Sequence, residues 1–126
     1  MCEAMRYIIL DTSSILFAVS NRKDIFEEVR YQLPDMQVMI STGILAELKG
    51  IARSGRSNAK FAATALHQIG LYGPAMEKGY GPVDQWIVKH ALHGDHYVCT
   101  NDAKLKSLLI KAGIKSFSFS RSGRIR

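Results

Sequence analysis

The fold of this chain is decided by the stretch RYIILDTSS, residues 6–14, near its start. The apolar run Arg6–Leu10 is continuous instead of alternating, which is typical of a strand buried on both faces of a sheet. Residues 11–14 are of the types that cap helix N-termini, and the apolar run 15–19 continues as a short helix. A strand that passes directly into a helix in this way favours a parallel sheet covered by helices.

The same alternation continues through the rest of the chain. Further strands are predicted at 37–40, 97–100 and 116–119, whereas residues 70–82 are rich in glycine and proline and predict a loop. The resulting order is β-α-α-β-α-α-α-β-α-β. It predicts an α/β protein with three α/β/α layers and a central parallel sheet of about four strands. The predicted helices cover residues 15–19, 25–33, 42–51, 58–69, 83–92 and 102–111.

Length and composition narrow the class of protein. The 126 residues predict a single domain over 1–126, with a basic flexible tail from about residue 121. No apolar run approaches the ~18–20 residues of a membrane span. Cys2 and Cys99 lack metal-ligand spacing, which favours a reduced, cytoplasmic protein. The closely spaced His90, His93 and His96 are separated by a predicted helix end, so solvated or capping roles are favoured over a zinc site.

The charge balance points to a polyanionic partner. Lys and Arg number 17 against 11 Asp and Glu, and the formal net charge is +6. A surface of this kind attracts nucleic acid, although basic composition by itself is a weak signal. It gains weight if the chain also carries a site that acts on phosphate.

Four of the acidic residues occupy positions at which such a site could form. Asp11 and Asp102 follow predicted strands, Glu47 lies in the second turn of the helix after another strand, and Asp84 opens a helix. Right-handed crossovers place these positions at the carboxyl edge of a parallel sheet, where ligands bind. Clustered carboxylates repel unless a cation holds them, and hard oxygen ligands suit Mg²⁺ or Mn²⁺. The alternative is structural: the three aspartates could cap helices, and Glu47 could be an exposed helix residue.

Four short strings give the chain a family resemblance: Ile8–Ser14, Ile44–Leu48, Val83–Val88 with Ala91, and Val98–Asp102 with Leu105. In this order they resemble a PIN domain, the small nuclease fold of ribosomal-RNA-processing factors and VapC-type toxins. The resemblance covers nearly the whole chain. It implies a divalent-metal ribonuclease in which Asp11, Glu47, Asp84 and Asp102 hold the ion. Ser13 and Thr100 match hydroxyl positions that assist the acids. Gln85 stands where many relatives carry a further acid, which leaves one ion or two open.

The main hypothesis is therefore endoribonuclease activity with Mg²⁺ or Mn²⁺ as cofactor. Asp11 and Asp102 would be the principal ligands, and Glu47 and Asp84 would complete the site directly or through water. The resemblance suggests products with a 5′-phosphate and a 3′-hydroxyl. The candidate contacts to the RNA backbone, which could also be a solvated basic face, are Lys49, Arg53, Arg56, Lys60, Lys104 and Lys106.

Several roles remain open at this point. The protein could process ribosomal RNA or act in RNA quality control, and residues 100–106 resemble that branch more closely. It could also be a toxin that a small antitoxin silences. RNA, a second copy of the chain, an antitoxin and a ribosome-assembly factor are the partners that the resemblance allows, whereas no membrane partner is expected. A catalytically inert RNA-binding scaffold is the alternative function. Phosphatase and receiver domains fit poorly, because Thr12 and Ser13 stand where those families need a second acid.

Overall fold

The central feature of the fold is a five-stranded parallel sheet. A computed structural model describes residues 6–126. The strands lie in the order β3-β2-β1-β4-β5. Their bounds are Arg6–Leu10 for β1, Met36–Ser41 for β2, Ala75–Glu77 for β3, Tyr97–Cys99 for β4 and Ser116–Phe117 for β5. The prediction of an α/β fold around a parallel sheet is confirmed.

Six helices flank the sheet within the part of the chain that the structure describes. Parallel neighbours need a crossover connection. A pair of helices connects β1 to β2 and another connects β2 to β3, whereas single helices connect β3 to β4 and β4 to β5. The helices are α1 Thr12–Ser20, α2 Ile25–Gln32, α3 Thr42–Ala52, α4 Ala59–Tyr72, α5 Val83–Gly94 and α6 Ala103–Lys111.

Strand β1 is the centre of the core, as its apolar sequence predicts. It pairs with β2 on one side and with β4 on the other, so Ile8 lies between Val38 and Tyr97. Ile8, Ile9 and Leu10 are completely buried. Burying such a side chain stabilises the fold by about 1.5–3 kcal/mol relative to leaving it exposed. The continuous apolar run therefore reports burial on both faces of the sheet.

The predicted strand count was one too low, because β3 lies inside the stretch that was predicted to be a loop. Helix α4 continues to Tyr72 and ends at Gly73, which takes the left-handed conformation (φ 59°) that favours glycine at this position. Ala75–Glu77 then pairs with Met39–Ser41 at the edge of the sheet. The three residues of β3 are half-buried or exposed, so they leave no apolar signature in the sequence.

The C-terminal residues also differ from the flexible tail that the sequence predicted. Ile125 is buried and forms an antiparallel bridge with Phe119. The side chain of Gln32 on α2 fastens the segment at two points: its amide nitrogen donates to the carbonyl of Gly123 at 2.6 Å, and its amide oxygen accepts from the N–H of Ile125 at 2.9 Å. One apolar residue in a basic tail is too weak a signal for this contact to be predicted.

The structure describes one of the two cysteines, Cys99. Cys2 belongs to residues 1–5, which lie outside the described residues. Cys99 is buried in β4, and this burial raises the pKa of its thiol to about 12. It therefore contributes to packing as a small apolar side chain.

Across residues 6–126, none of the helices combines the length and the apolar character that a membrane crossing requires.

The contact between Gln32 and the C-terminal segment gives a first prediction. Gln32→Glu keeps the shape of the side chain but removes its donor. It also sets a second carboxylate beside Glu28, whose Oε1 now accepts from Gln32 at 2.9 Å. We expect the free energy of unfolding at neutral pH to fall by about 1–3 kcal/mol, as for a buried acceptor left unsatisfied. Urea denaturation measures it. The control Gln37→Glu, at an exposed position of β2, should change the value by less than about 0.5 kcal/mol. Equal stability of the two variants would contradict the role given to Gln32.

Candidate functional site

A cleft of about 270 Å³ lies beyond the carboxyl ends of β1 and β4, and all four predicted acids line it. Asp11 follows β1 directly, and Asp102 lies three residues after the end of β4. Since the two strands are parallel neighbours, their carboxyl ends meet at the same edge. Glu47 comes from α3 and Asp84 from the first turn of α5. The complete lining is Asp11, Thr12, Ser13, Leu16, Glu47, Val83, Asp84 and Asp102.

Asp11 is the most buried of the acids, with 4% of its surface exposed. It is the N-cap of α1, and its Oδ1 accepts from the backbone N–H of Ser14 at 2.9 Å. Its Oδ2 accepts from the Thr100 hydroxyl at 2.6 Å and from the Ser13 hydroxyl at 2.8 Å. Burial raises the pKa of Asp11, and these hydrogen bonds offset part of the rise by stabilising the ionised form. The hydrogen bonds thus hold the carboxylate in one place, while its removal from water disfavours the ionised form.

The hydroxyls of Ser13 and Thr100 connect Asp11 to the loop that carries Asp102. The Thr100 hydroxyl oxygen accepts from the backbone N–H of Asp102 at 3.0 Å, and the Ser13 hydroxyl oxygen accepts from the N–H of Asn101 at 3.1 Å. Both hydroxyls donate to Asp11 at the same time. They therefore set the position of the loop after β4 relative to the end of β1.

The other acids are placed by their own helices. Asp102 is the N-cap of α6, and its Oδ1 accepts from the N–H of Leu105 at 2.8 Å. Glu47 accepts from the hydroxyl of Thr12 at 2.9 Å. Capping is therefore part of the role of Asp11 and Asp102, but not of Asp84, because Pro82 is the N-cap of α5.

A close approach of two helix starts brings Glu47 and Asp84 to one cleft. Gly43 lies in the first turn of α3, where an added Cβ would come within 3.3 Å of the Val83 side chain at the start of α5. That distance is tighter than ordinary van der Waals contact, so with a larger residue the Val83 side chain would have to shift by a few tenths of an ångström. Glycine at this position lets α3 and α5 face each other across the cleft.

The chemistry of the donor set fits a hard divalent cation. All four side chains are carboxylates, the ligands that Mg²⁺ and Mn²⁺ prefer. The side chains are spaced around the cleft and do not meet at one point: between residues 6 and 126, no three His, Cys, Asp or Glu side chains lie close enough together to hold a metal ion as they stand. Asp11, Glu47 and Asp102 each accept a local hydrogen bond that accounts for this spacing.

None of the predicted RNA contacts belongs to the lining of the acidic cleft. Lys106 is half-buried, and its ammonium donates to the hydroxyl of Ser118 at 2.6 Å, which holds it beside β5. The remaining candidates are exposed on α3, on the loop after it and at the starts of α4 and α6: Lys49, Arg53, Arg56, Lys60 and Lys104.

Sequence reasoning missed several residues that build the site. Ser14 is buried, and its hydroxyl lies 3.0 Å from the carbonyl oxygen of Asp11 and 3.1 Å from that of Cys99, which secures the junction of β1 and β4. Asn101 pairs with both backbone groups of Phe119, donating to its carbonyl at 2.8 Å and accepting from its N–H at 2.9 Å. A signal for Ser14 was present in its position three residues after a capping aspartate. Asn101 had none, because its partner is distant in sequence.

Comparison with known proteins agrees with the fold. A family model described as a PIN-like domain matches residues 8–120. A solved structure of the PIN domain endonuclease Utp24 is 26% identical, with a TM-score of 0.74, and the match covers 95% of this chain and 89% of that one. Comparison with curated protein sequences gives no match.

Two further solved structures share the fold. A domain of a functionally unknown protein from Methanocaldococcus jannaschii is 20% identical, with a TM-score of 0.67 and 91% of each chain covered. VapBC-1 from nontypeable Haemophilus influenzae is 22% identical, with a TM-score of 0.59, and the match covers 87% of this chain and 96% of that one. At this level of identity the likeness supports the architecture only.

The buried contact between Thr100 and Asp11 gives a second prediction. Thr100→Val removes the hydroxyl from a completely buried position, so the free energy of unfolding should fall by about 1–3 kcal/mol at neutral pH. This loss in the free energy of unfolding should be smaller at acidic pH. Without this hydrogen bond the folded-state pKa of Asp11 rises further, and a raised carboxyl pKa costs stability only as the pH climbs through it.

Urea denaturation in EDTA at neutral and at acidic pH measures both effects. Thr100→Ser, which keeps the hydroxyl, is the matched control and should retain most of the stability. A loss that is the same at both pH values would contradict the link to Asp11.

Proposed function

Because this chain belongs to the PIN-like domain family, we propose that it is a divalent-metal-dependent endoribonuclease that hydrolyses phosphodiester bonds in RNA. The fold is the PIN fold found in nucleases such as the endonuclease Utp24. The observation that carries the proposal is the cleft itself, where carboxylates from four separate parts of the chain line one volume at the carboxyl edge of the sheet. A purely structural use of these acids would not require them to share a cleft.

In the proposed mechanism Asp11 and Asp102 are the principal ligands of Mg²⁺ or Mn²⁺, and Glu47 and Asp84 complete the site directly or through water. A bound divalent cation supplies an activated water and neutralises charge on the phosphate. The hydroxyls of Ser13 and Thr100 keep Asp11 in position, which limits the reorganisation that binding requires. The expected products carry a 5′-phosphate and a 3′-hydroxyl.

The four carboxylates form the whole proposed ligand set. Gln85, the residue next to Asp84, is exposed and lines a neighbouring cleft instead of the acidic one. The position at which many relatives carry a further acid is therefore outside the lining of the acidic cleft. This arrangement supports a single ion more than a pair.

The RNA backbone would be held by exposed cations on α3, on α6 and in the loop after α3. Lys49 lies two residues after Glu47 on α3, and Lys104 lies two residues after Asp102 on α6. Arg53 and Arg56 are exposed at the end of α3 and in the loop that follows. The net charge of +6 would draw the RNA towards this face. Lys106 is a weaker candidate, since it already donates to Ser118.

For the biological role we favour ribosomal-RNA processing or RNA quality control over a toxin. The segment from Thr100 to Lys106 resembles the processing factors. A cytoplasmic location, a homodimer and a ribosome-assembly partner belong to this proposal. Growth arrest on expression, relieved by a small co-expressed antitoxin, would favour the toxin instead.

Loss of a ligand gives a third prediction. Asp11→Asn and Asp102→Asn should each reduce metal-dependent RNA cleavage by more than about 100-fold, since losing a ligand should cost at least as much as losing its supporting shell. Digestion of total RNA with Mn²⁺ or with EDTA, followed by analysis of the new 5′ ends, measures rate and product together. Asp35→Asn, at an exposed turn, is the matched control and should cleave normally. Undiminished cleavage by either cleft variant would refute the assignment.

Metal binding gives a fourth prediction, which also separates the nuclease from an inert scaffold. Calorimetry should detect Mn²⁺ binding to the wild type and much weaker binding to Asp102→Asn. The affinity should decline as the pH falls from neutral to mildly acidic, because burial raises the pKa of Asp11 and a ligand carboxyl must be ionised to bind. An affinity that does not change with pH would count against Asp11 as a ligand. No binding at all would favour the scaffold.

A further inference from the structure

A second cleft, of about 500 Å³, lies beside the acidic one along helix α5. Gly81 and Pro82 line the second cleft, and Val83 and Asp84 line the acidic one, so the two meet at the start of this helix. The side chains that characterise the second cleft are aromatic or basic: Tyr80, Trp86, Lys89, His90 and His93. We call this second cleft the aromatic cleft.

The loop that forms one wall of the aromatic cleft is fastened at both sides. The indole N–H of Trp86 donates to the carbonyl of Lys78 at 3.2 Å, and the N–H of Gly79 donates to the Thr42 hydroxyl at 3.0 Å. The loop presses so closely on the start of α3 that a Cβ on Gly79 would come within 3.0 Å of the Cβ of Ser41. Tyr80 follows directly and is 78% exposed. The anchored neighbours hold the backbone before this exposed ring in place.

Helix α5 contributes a stacked pair to the lining of the aromatic cleft. The rings of Trp86 and His90, one helical turn apart on α5, lie 4.6 Å apart at an interplanar angle of 11°. This is the geometry in which a flat aromatic ligand extends a stack. The aromatic cleft therefore has two aromatic elements in its lining, the exposed Tyr80 ring and the stacked pair.

The charge of the aromatic cleft is complementary to RNA. Lys89 is the cation of the lining. It lies on the same helix as the stacked pair, as does His93, which can donate a hydrogen bond, and both are exposed. Its described lining contains no carboxylate, in contrast to the acidic cleft beside it. Cations beside an aromatic surface are the combination by which proteins hold single-stranded nucleic acid, the base on the ring and the phosphate on the cation.

We propose that the aromatic cleft binds an unpaired nucleobase of the RNA whose scissile phosphate lies in the acidic cleft. Tyr80 stacks on the base, the Trp86–His90 pair forms a second aromatic surface, and Lys89 and His93 face the adjoining phosphate. This inference rests on the proposed function, because it names the strand that the acidic cleft cuts. Stacking accepts every base, so the aromatic cleft selects single-stranded over paired RNA and confers little sequence preference.

A second copy of the chain is the main competing occupant. The core of a protein interface is normally depleted of charged residues. The aromatic cleft instead carries Lys89 and two histidines around its aromatic surfaces. This lining favours a charged, planar ligand over an apolar protein surface.

The test uses a reporter that the sequence supplies, since the chain has one tryptophan and it lines the aromatic cleft. Titration of the full chain in EDTA with a single-stranded RNA heptamer of adenosines should quench the fluorescence of Trp86. The same RNA paired with its complement should bind more weakly. Tyr80→Ala should raise the dissociation constant for the single strand about tenfold, the cost of losing one stacked base. Tyr80→Phe keeps the ring and should stay within about twofold of the wild type.

Tyr31→Ala is the matched control, because Tyr31 is 84% exposed on α2 and outside the lining of both clefts. It should bind the heptamer as the wild type does. In a cleavage assay with Mn²⁺, the loss in Tyr80→Ala should fall mainly on KM. Circular dichroism of each variant verifies the fold.

The possible results separate this inference from the proposed function. If the wild type cleaves RNA but Tyr80→Ala binds the heptamer equally well, the base-binding role is overturned and the nuclease stands. If binding depends on Tyr80 but Mn²⁺ produces no cleavage, the nuclease fails and the binding role stands. Equal affinity for paired RNA would also overturn the inference. So would a dimer that Tyr80→Ala dissociates, seen by sedimentation, without any change in RNA affinity.

Discussion

The structure depends on one buried carboxylate at the junction of two central strands. Asp11 follows β1, caps α1 and accepts hydrogen bonds from Ser13, Ser14 and Thr100, the last of which lies directly after β4. These contacts compensate for the desolvation that raises its pKa. A carboxylate in this position costs stability, and it persists because its donors come from the elements that the sheet already brings together. The same burial that makes Asp11 costly would make it a strong attractor of a cation.

The arrangement around Asp11 also explains why two clefts share one edge of the sheet. Parallel pairing of β1 with β4 sets the loop before α6 beside Asp11, and the start of α5 lies close to Gly43 in the first turn of α3. Helix α5 then has two lining residues, Val83 and Asp84, in the acidic cleft and several, including Trp86 and His90, in the aromatic cleft. In the proposed function the acidic cleft acts on the phosphate and the aromatic cleft binds the base.

Much of the fold could be predicted because burial on both faces leaves a strong signal. The run Ile8–Leu10 and the strand that ends at Cys99 are completely or nearly apolar and buried, so both could be predicted as strands from their own residues. Strand β3 was not predicted, because an edge strand needs backbone pairing but few apolar side chains. The ordered position of the C-terminal residues was not predicted for a related reason. Ile125 is a single apolar residue, and its hydrogen-bond partner Gln32 lies far away in sequence.

By itself, the sequence determined the parallel α/β architecture, the order of most elements and the identity of four acids at or near the start of helices. The physical reason is local: apolar runs, capping residues and crossover handedness act over a few residues or follow a general rule. Only the tertiary structure decided that those acids share a cleft, that Asp11 is buried while Asp102 and Glu47 are exposed, and that an aromatic cleft adjoins them. These features arise from contacts between helices and loops distant in sequence, such as Gly79 with Thr42, which no periodicity encodes.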